Sequence, residues 1–220
     1  MTKRQYDQYC PLACALDVIG ERWALLVVRE LLSGPKRFVD LETGLPGIGS
    51  NTLTTRLDEL EEAGVLAKRR LPAPAASAVY ELTSSGRDLG PILGATARWG
   101  VRRLAAASPR HPLRASWLAA ALQAFFRGNA VRGLTAVVEL VFPTGTLQLH
   151  FRRGRLTVTE GVAGGSPAMR IVGTEQRFLD LLRGSTRKGA HGARNLRIEG
   201  DRSLLDRLIA AFPIGAGGTD

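Results

Sequence analysis

The sequence predicts an α+β chain built in two parts, and three observations carry that reading. Apolar residues recur mostly at helical spacing through the first half, with a single hairpin-like break. Short runs of alternating polarity dominate the second half. Between them, residues 108–113 (SPRHPL) place two prolines behind three alanines, the composition of a linker. A length of 220 residues leaves room for two small domains.

In chain order, Pro11 opens a helix over residues 12–19, because proline is tolerated at a first helical position. Residues 23–32 (WALLVVRELL) are apolar on nearly all sides, so they are expected to form the central buried helix, stopped by Gly34 and Pro35. Residues 36–43 give a short helix with Phe38 and Leu41 inward, and LPGIG at 45–49 gives a tight glycine turn. Over residues 50–63, Leu53, Leu57 and Leu60 fall on one helical face, and Gly64 closes the helix. Residues 65–71 and 78–82 read as the strands of a hairpin. Thr83 caps a last helix reaching about Ala107, with a kink expected at Pro91.

Helix, helix, short helix, glycine turn, helix, hairpin, helix is the order of a winged helix-turn-helix. A recognition helix meets base edges mainly with its N-terminal residues. Here these are Ser50, Asn51, Thr52, Thr55 and Arg56, small or polar side chains that fit a major groove. Lys36 and Arg37 before the short helix, and Lys68 and Arg69 on the first hairpin strand, are placed to neutralise phosphates. The acidic second half of the helix (Asp58, Glu59, Glu61, Glu62) is expected to lift away from the duplex. Double-stranded DNA is therefore the expected partner.

The second half opens with an amphipathic helix over residues 114–127, with Trp117, Leu118, Ala121, Leu122 and Phe125 in one stripe. Strands are expected at 134–142, 146–152, 155–160, 168–172 and 195–199. Leu147, Leu149 and Phe151 alternate with polar residues, as in a sheet buried on one face. Helices are expected at 174–183, capped by Thr174, and at 202–212. The layout is an antiparallel sheet covered by helices. Residues 214–220 read as a flexible tail.

Composition narrows the function. The net charge is +10, of which residues 1–107 carry +2 and residues 108–220 carry +8. A pI near 10.7 favours nucleic acid as a partner. No run of apolar residues is long enough to span a bilayer, and the N-terminus lacks the apolar stretch of a secretory signal. With only Cys10 and Cys14, a disulfide scaffold is excluded and a cytoplasmic setting is expected. Neither zinc-ligand spacing, a nucleophile elbow, a P-loop nor a dinucleotide fingerprint occurs, so no enzyme, metal or cofactor is expected. Cys10 precedes Pro11 at a helix start, where an anion is stabilised. Sensing by this thiol stands against plain packing in the core, and Cys14, four residues from Val18, fits the packing reading.

Two resemblances sharpen these expectations. The stretch from Cys10 to about Gly100, with CP, GERW, RELLSGPKRF, LPGI, LTTRLDELEEAG, YELT and a late WG, closely resembles the HxlR-type winged-helix regulators of bacteria. The resemblance implies operator binding, often repression, by a homodimer whose terminal helices, here around residues 89–104 and 6–12, form the interface. It also implies a cysteine in the CP context that senses oxidants, quinones or aldehydes in some members, which points to Cys10. Many relatives carry basic or amide side chains at the positions of Asn51, Thr55 and Asp58, so weaker non-specific affinity and a different operator preference are expected. Residues 112–213, with IVGTEQRFLDLLRG and LRIEGDRSLLDRL, resemble the sterol carrier protein type 2 domain. That implies a five-stranded sheet over a tunnel for an apolar ligand, a hydrophobic effector, with Trp117, Phe125, Phe126, Phe142, Leu147 and Phe151 as its wall. The expected organisation is a winged helix-turn-helix at 1–107, a linker at 108–113, a sterol-carrier-like domain at 114–213 and a tail at 214–220. The competing reading is a lipid or acyl carrier that uses its winged-helix half for dimerisation or docking.

Overall fold

A computed structural model of the chain describes residues 5–72, 77–104, 113–162, 164–184 and 196–214. The expected linker, save Leu113, lies outside the described residues, as does the tail beyond Ile214. Two compact units are present, Met1–Leu93 and Gly94–Asp220, and each has its own apolar core.

The first unit contains α1 (Pro11–Ile19), α2 (Ala24–Leu31), α3 (Phe38–Gly44), α4 (Ser50–Glu62), the strands β1 (Leu66–Arg70) and β2 (Ala78–Leu82), α5 (Ser84–Arg87) and the start of α6 (Gly90–Leu104). Its core gathers Val27, Val28 and Leu31 of α2, Leu41 of α3 and Leu53, Leu57 and Leu60 of α4. Three local expectations need correction. Helix α2 is not buried all round, since Leu26 lies exposed on one flank. Lys36 does not begin the short helix: its N–H donates to Tyr80 O at 3.0 Å and its carbonyl accepts from Tyr80 N at 2.8 Å. That pairing holds Lys36 extended, so α3 starts two residues later. Pro91 does not kink one long helix. The chain breaks after α5, and Pro91 falls in the first turn of α6, where a missing N–H costs nothing.

The second unit contains α7 (Ala115–Phe125), a 3₁₀ turn (Gly128–Val131), β3 (Ala136–Phe142), β4 (Gly145–Arg152), β5 (Arg155–Glu160), β6 (Met169–Val172), α8 (Glu175–Gly184), β7 (Arg197–Gly200) and α9 (Leu204–Ala211). The five strands lie in the order β5-β4-β3-β6-β7. All neighbours are antiparallel except β3 and β6, which run parallel, a departure from the wholly antiparallel expectation. The reason is the connection after β5. It returns along the sheet before β6 begins, pinned where Gln148 Nε2 donates to Gly161 O at 3.1 Å. Val138, Leu140, Phe142, Leu147, Leu149, Phe151, Met169 and Ile171 fill one face of the sheet and pack with Leu118, Leu122, Phe178, Leu182, Leu208 and Phe212. The other face carries Glu139, Gln148, His150, Arg170 and Glu199.

Candidate nucleic-acid interface

Helix α4 is the best-formed reading element. Its leucine stripe is fully buried, which turns Asn51, Thr52 and Thr55 outward. The Thr55 hydroxyl donates to Asn51 O at 3.0 Å, and Ser50 Oγ donates to Glu42 Oε1 at 2.5 Å, tying the helix start to α3. The N-terminal turn of α4 therefore presents an exposed amide and hydroxyls on a rigid support.

The hairpin β1–β2 is fixed to that helix at several points. The Thr83 hydroxyl, which accepts from Gly86 N at 3.1 Å, lies 2.6 Å from Gly64 O and 3.1 Å from Val65 O. Lys68 N donates to Glu61 Oε1 at 3.0 Å, and the Lys36–Tyr80 pairing adds a third short strand position beside β2. Residues 73–76 of the hairpin tip lie outside the described residues.

The cations expected to meet the groove or the phosphates are less free than the sequence implied. Lys36 is buried, with Nζ 3.2 Å from Glu30 Oε2. Arg56 is only 12% exposed and is held by Glu59, with Glu21 4.0 Å away. Both are thus held by intramolecular carboxylates in this structure. Arg37 is exposed but donates to both oxygens of Asp40 at 2.9 Å. Those hydrogen bonds hold the Asp40 carboxyl below its ordinary value, and Asp40 in turn accepts from Arg37 N at the start of α3. Arg69 pairs with Glu81 across the hairpin at 3.0 Å. Lys68 is exposed, its ammonium over the Tyr80 ring at 5.6 Å. The sequence signal for these pairings existed in the nearby acids, but spacing alone does not show which acid reaches which base.

Cys10 is the N-cap of α1 and half-buried, whereas Cys14 is exposed and does not pack in the core as its spacing from Val18 indicated. Among the described residues no group of three or more His, Cys, Asp or Glu could hold a metal, and no helix is long and apolar enough to cross a membrane.

In the second unit, Phe142, Leu147 and Phe151 are sealed in the core. Phe126, Phe151 and Phe212 form a tilted aromatic cluster with centroids 5.8–6.5 Å apart. Trp117, Phe125 and Phe126, on or just past α7, are half-buried and form the accessible part of the expected ligand wall. A separate hollow of about 390 Å³ lies on the other face of the sheet, lined by Glu139, Val141, Thr146, Val162, Arg170 and their neighbours, and none of the six expected wall residues borders it.

Residues 18–108 match the HxlR-like helix-turn-helix family, and residues 120–213 match the SCP-2 sterol transfer family. The uncharacterized HTH-type transcriptional regulator YvaP of Bacillus subtilis is 38% identical over 94 residues, which are 42% of this chain and 87% of that protein. The HTH-type transcriptional regulator YodB of the same organism is 32% identical over 91 residues, 41% of this chain and 81% of that protein. The solved reduced form of YodB superposes with a TM-score of 0.40 at 28% identity, covering 46% of this chain and 100% of that chain.

Proposed function

The chain belongs to the HxlR-like helix-turn-helix family and carries an SCP-2 sterol transfer domain behind the reader, and on that premise we propose a dimeric cytoplasmic regulator that reads operator DNA and answers to an apolar metabolite. The observation that carries the DNA reading is the exposed N-terminal turn of α4, with Asn51, Thr52 and Thr55 turned away from the leucine stripe and the hairpin fixed beside it. Pairing of two copies is supported by apolar surface: Tyr6, Leu12 and Leu16 around α1, and Ile92, Trp99 and Leu104 on α6, are exposed, Trp99 by 64%. Two half-sites one helical turn apart call for such a pair.

Base reading and phosphate positioning separate experimentally. Asn51→Ala is expected to cost about 1–3 kcal/mol on operator and almost nothing on random duplex. Lys68→Ala is expected to weaken both alike and to flatten the salt dependence. Quantitative footprinting and titration on the two duplexes check this; equal losses for Asn51→Ala on both would remove α4 from sequence reading.

The ligand reading rests on the match to the SCP-2 sterol transfer family and on the half-buried aromatics at Trp117, Phe125 and Phe126. A ligand acts only through unequal affinity for the DNA-bound and free states, so an effector is expected to shift operator affinity by about 1–3 kcal/mol, reciprocally. Native mass spectrometry of the purified chain, then operator titration with a long-chain fatty acid, an acyl-CoA and cholesterol, tests it. Running the titration with diamide on the native chain and on Cys10→Ser separates this input from oxidation of the Cys10 thiol. Binding of lipid with no change in operator affinity would favour a carrier over a sensor.

A further inference from the structure

We infer that an arginine cluster at one end of the second unit is a second, sequence-independent contact for duplex phosphates. This deepens the regulator reading and rests on it. The cluster is assembled by one backbone contact. The 3₁₀ turn Gly128–Val131 abuts the β4–β5 hairpin so closely that a Cβ on Gly128 would lie 2.3 Å from Gly154 O. Arg127 and Arg132 flank the 3₁₀ turn, and Arg152, Arg153 and Arg155 surround the hairpin turn. All five are exposed. Arg207 of α9 extends the cluster, its guanidinium donating to Ala130 O at 3.3 Å and Arg132 O at 2.8 Å. Among the described residues, none of these six arginines forms a salt bridge.

The hairpin turn bears two costs that the fold does not require. Arg152 and Arg155 are direct cross-strand partners, and like charges so placed destabilise a hairpin. Arg153 holds a left-handed backbone at φ 51°, followed by Gly154 at φ 73°. A two-residue turn of that kind favours asparagine or aspartate before the glycine, not arginine. Strain kept at an exposed position points to a use for the side chain. The first unit shows what use is missing. There Lys36, Arg37, Arg56 and Arg69 are paired with Glu30, Asp40, Glu59 and Glu81 while Lys68 stays exposed, and residues 1–107 carry a net charge of only +2. Backbone affinity for DNA comes from neutralised phosphates, and residues 108–220 carry +8. Arginine, with its planar fork, binds phosphate oxygens bidentately.

The test uses the full chain and the salt dependence of its binding to a random duplex and to operator. Each lost phosphate contact lowers the log–log salt slope by about 0.9. Arg152→Gln with Arg155→Gln is expected to lower the slope by about 2 while leaving the operator-to-random ratio intact, and the corresponding lysine pair is expected to keep the slope. Arg153→Asn is expected to lower the slope by about 1 and to raise the melting temperature, so loss of binding cannot be put down to unfolding. Unchanged slopes with tight operator binding would overturn the cluster's role and leave α4 as the reader. Failure of the native chain to bind any duplex would overturn both readings. Loss of binding to phosphatidylserine vesicles, with DNA binding unaltered, would overturn the inference in favour of an anionic membrane surface.

Discussion

Glu30→Ala is expected to destabilise the protein by about 3–5 kcal/mol, the range for removing one partner of a buried ion pair. Glu30 is fully buried, and its carboxylate is shared by Arg29 Nη2 at 2.7 Å and Lys36 Nζ at 3.2 Å. Burial pushes the Arg29 guanidinium below its ordinary value, and Glu30 opposes that effect. The alanine variant leaves both cations in a dry site without their common carboxylate. Gly44 belongs to the same arrangement: a Cβ there would lie 2.5 Å from Glu30 Oε2. The network thus joins α2, the end of α3 and, through Lys36, strand β2. Chemical denaturation followed by circular dichroism measures the loss. The triple variant Arg29→Met, Glu30→Leu and Lys36→Met is expected to recover much of it, because apolar replacements of a whole buried ionic triad are often neutral or stabilising. A single variant as stable as the parent would mean that water reaches the site.

Phe178→Ala is expected to cost a similar amount, about 3–5 kcal/mol, in the second unit. The ring is fully buried, 5.8 Å from the Phe142 ring, at the contact of α8 with the core face of the sheet. Truncation removes apolar area and leaves a void that a close-packed interior fills only in part. Guanidinium unfolding reads the stability. Recovery of the lost stability by a small apolar compound such as benzene would show that the void is dry and open to a ligand. A loss under about 1 kcal/mol would show that the neighbouring leucines collapse into the space.

The elements of both units were legible because their periodicities are strong. The leucines of α4, the capping Thr83 and the alternation of β4 each state one structure. What escaped the sequence depends on long-range partners. Lys36 reads as a helix start until Tyr80 pairs with its backbone, and the parallel β3–β6 pair follows from a return path that no local pattern encodes. The candidate binding residues were half legible. Asn51, Thr52 and Thr55 are exposed because the stripe beside them fixes the helix rotation. In sequence Arg56 looks suited to the major groove and Lys36 to a phosphate, and only the fold shows which carboxylates they meet. In the second unit, charge counting located the positive excess, but the contact of Gly128 with Gly154 gathers five of those arginines at one end.

The ties at the base of the hairpin carry a consequence for control. Thr83, Lys68 and the Lys36–Tyr80 pairing lock reading helix and hairpin into a single body. Such a reader has no internal gear to disengage, so in the proposed dimer an inhibitory signal is expected to work on the gap between two readers instead. Duplex DNA advances about 3.4 Å per base pair, and half-sites recur each turn of about 34 Å. Changing the separation of paired readers by a few ångströms puts one of them a base pair out of phase. On the proposed dimer reading, a stiff reader converts a small change in spacing into loss of one half-site, and the proposed effector need never touch the DNA-facing residues.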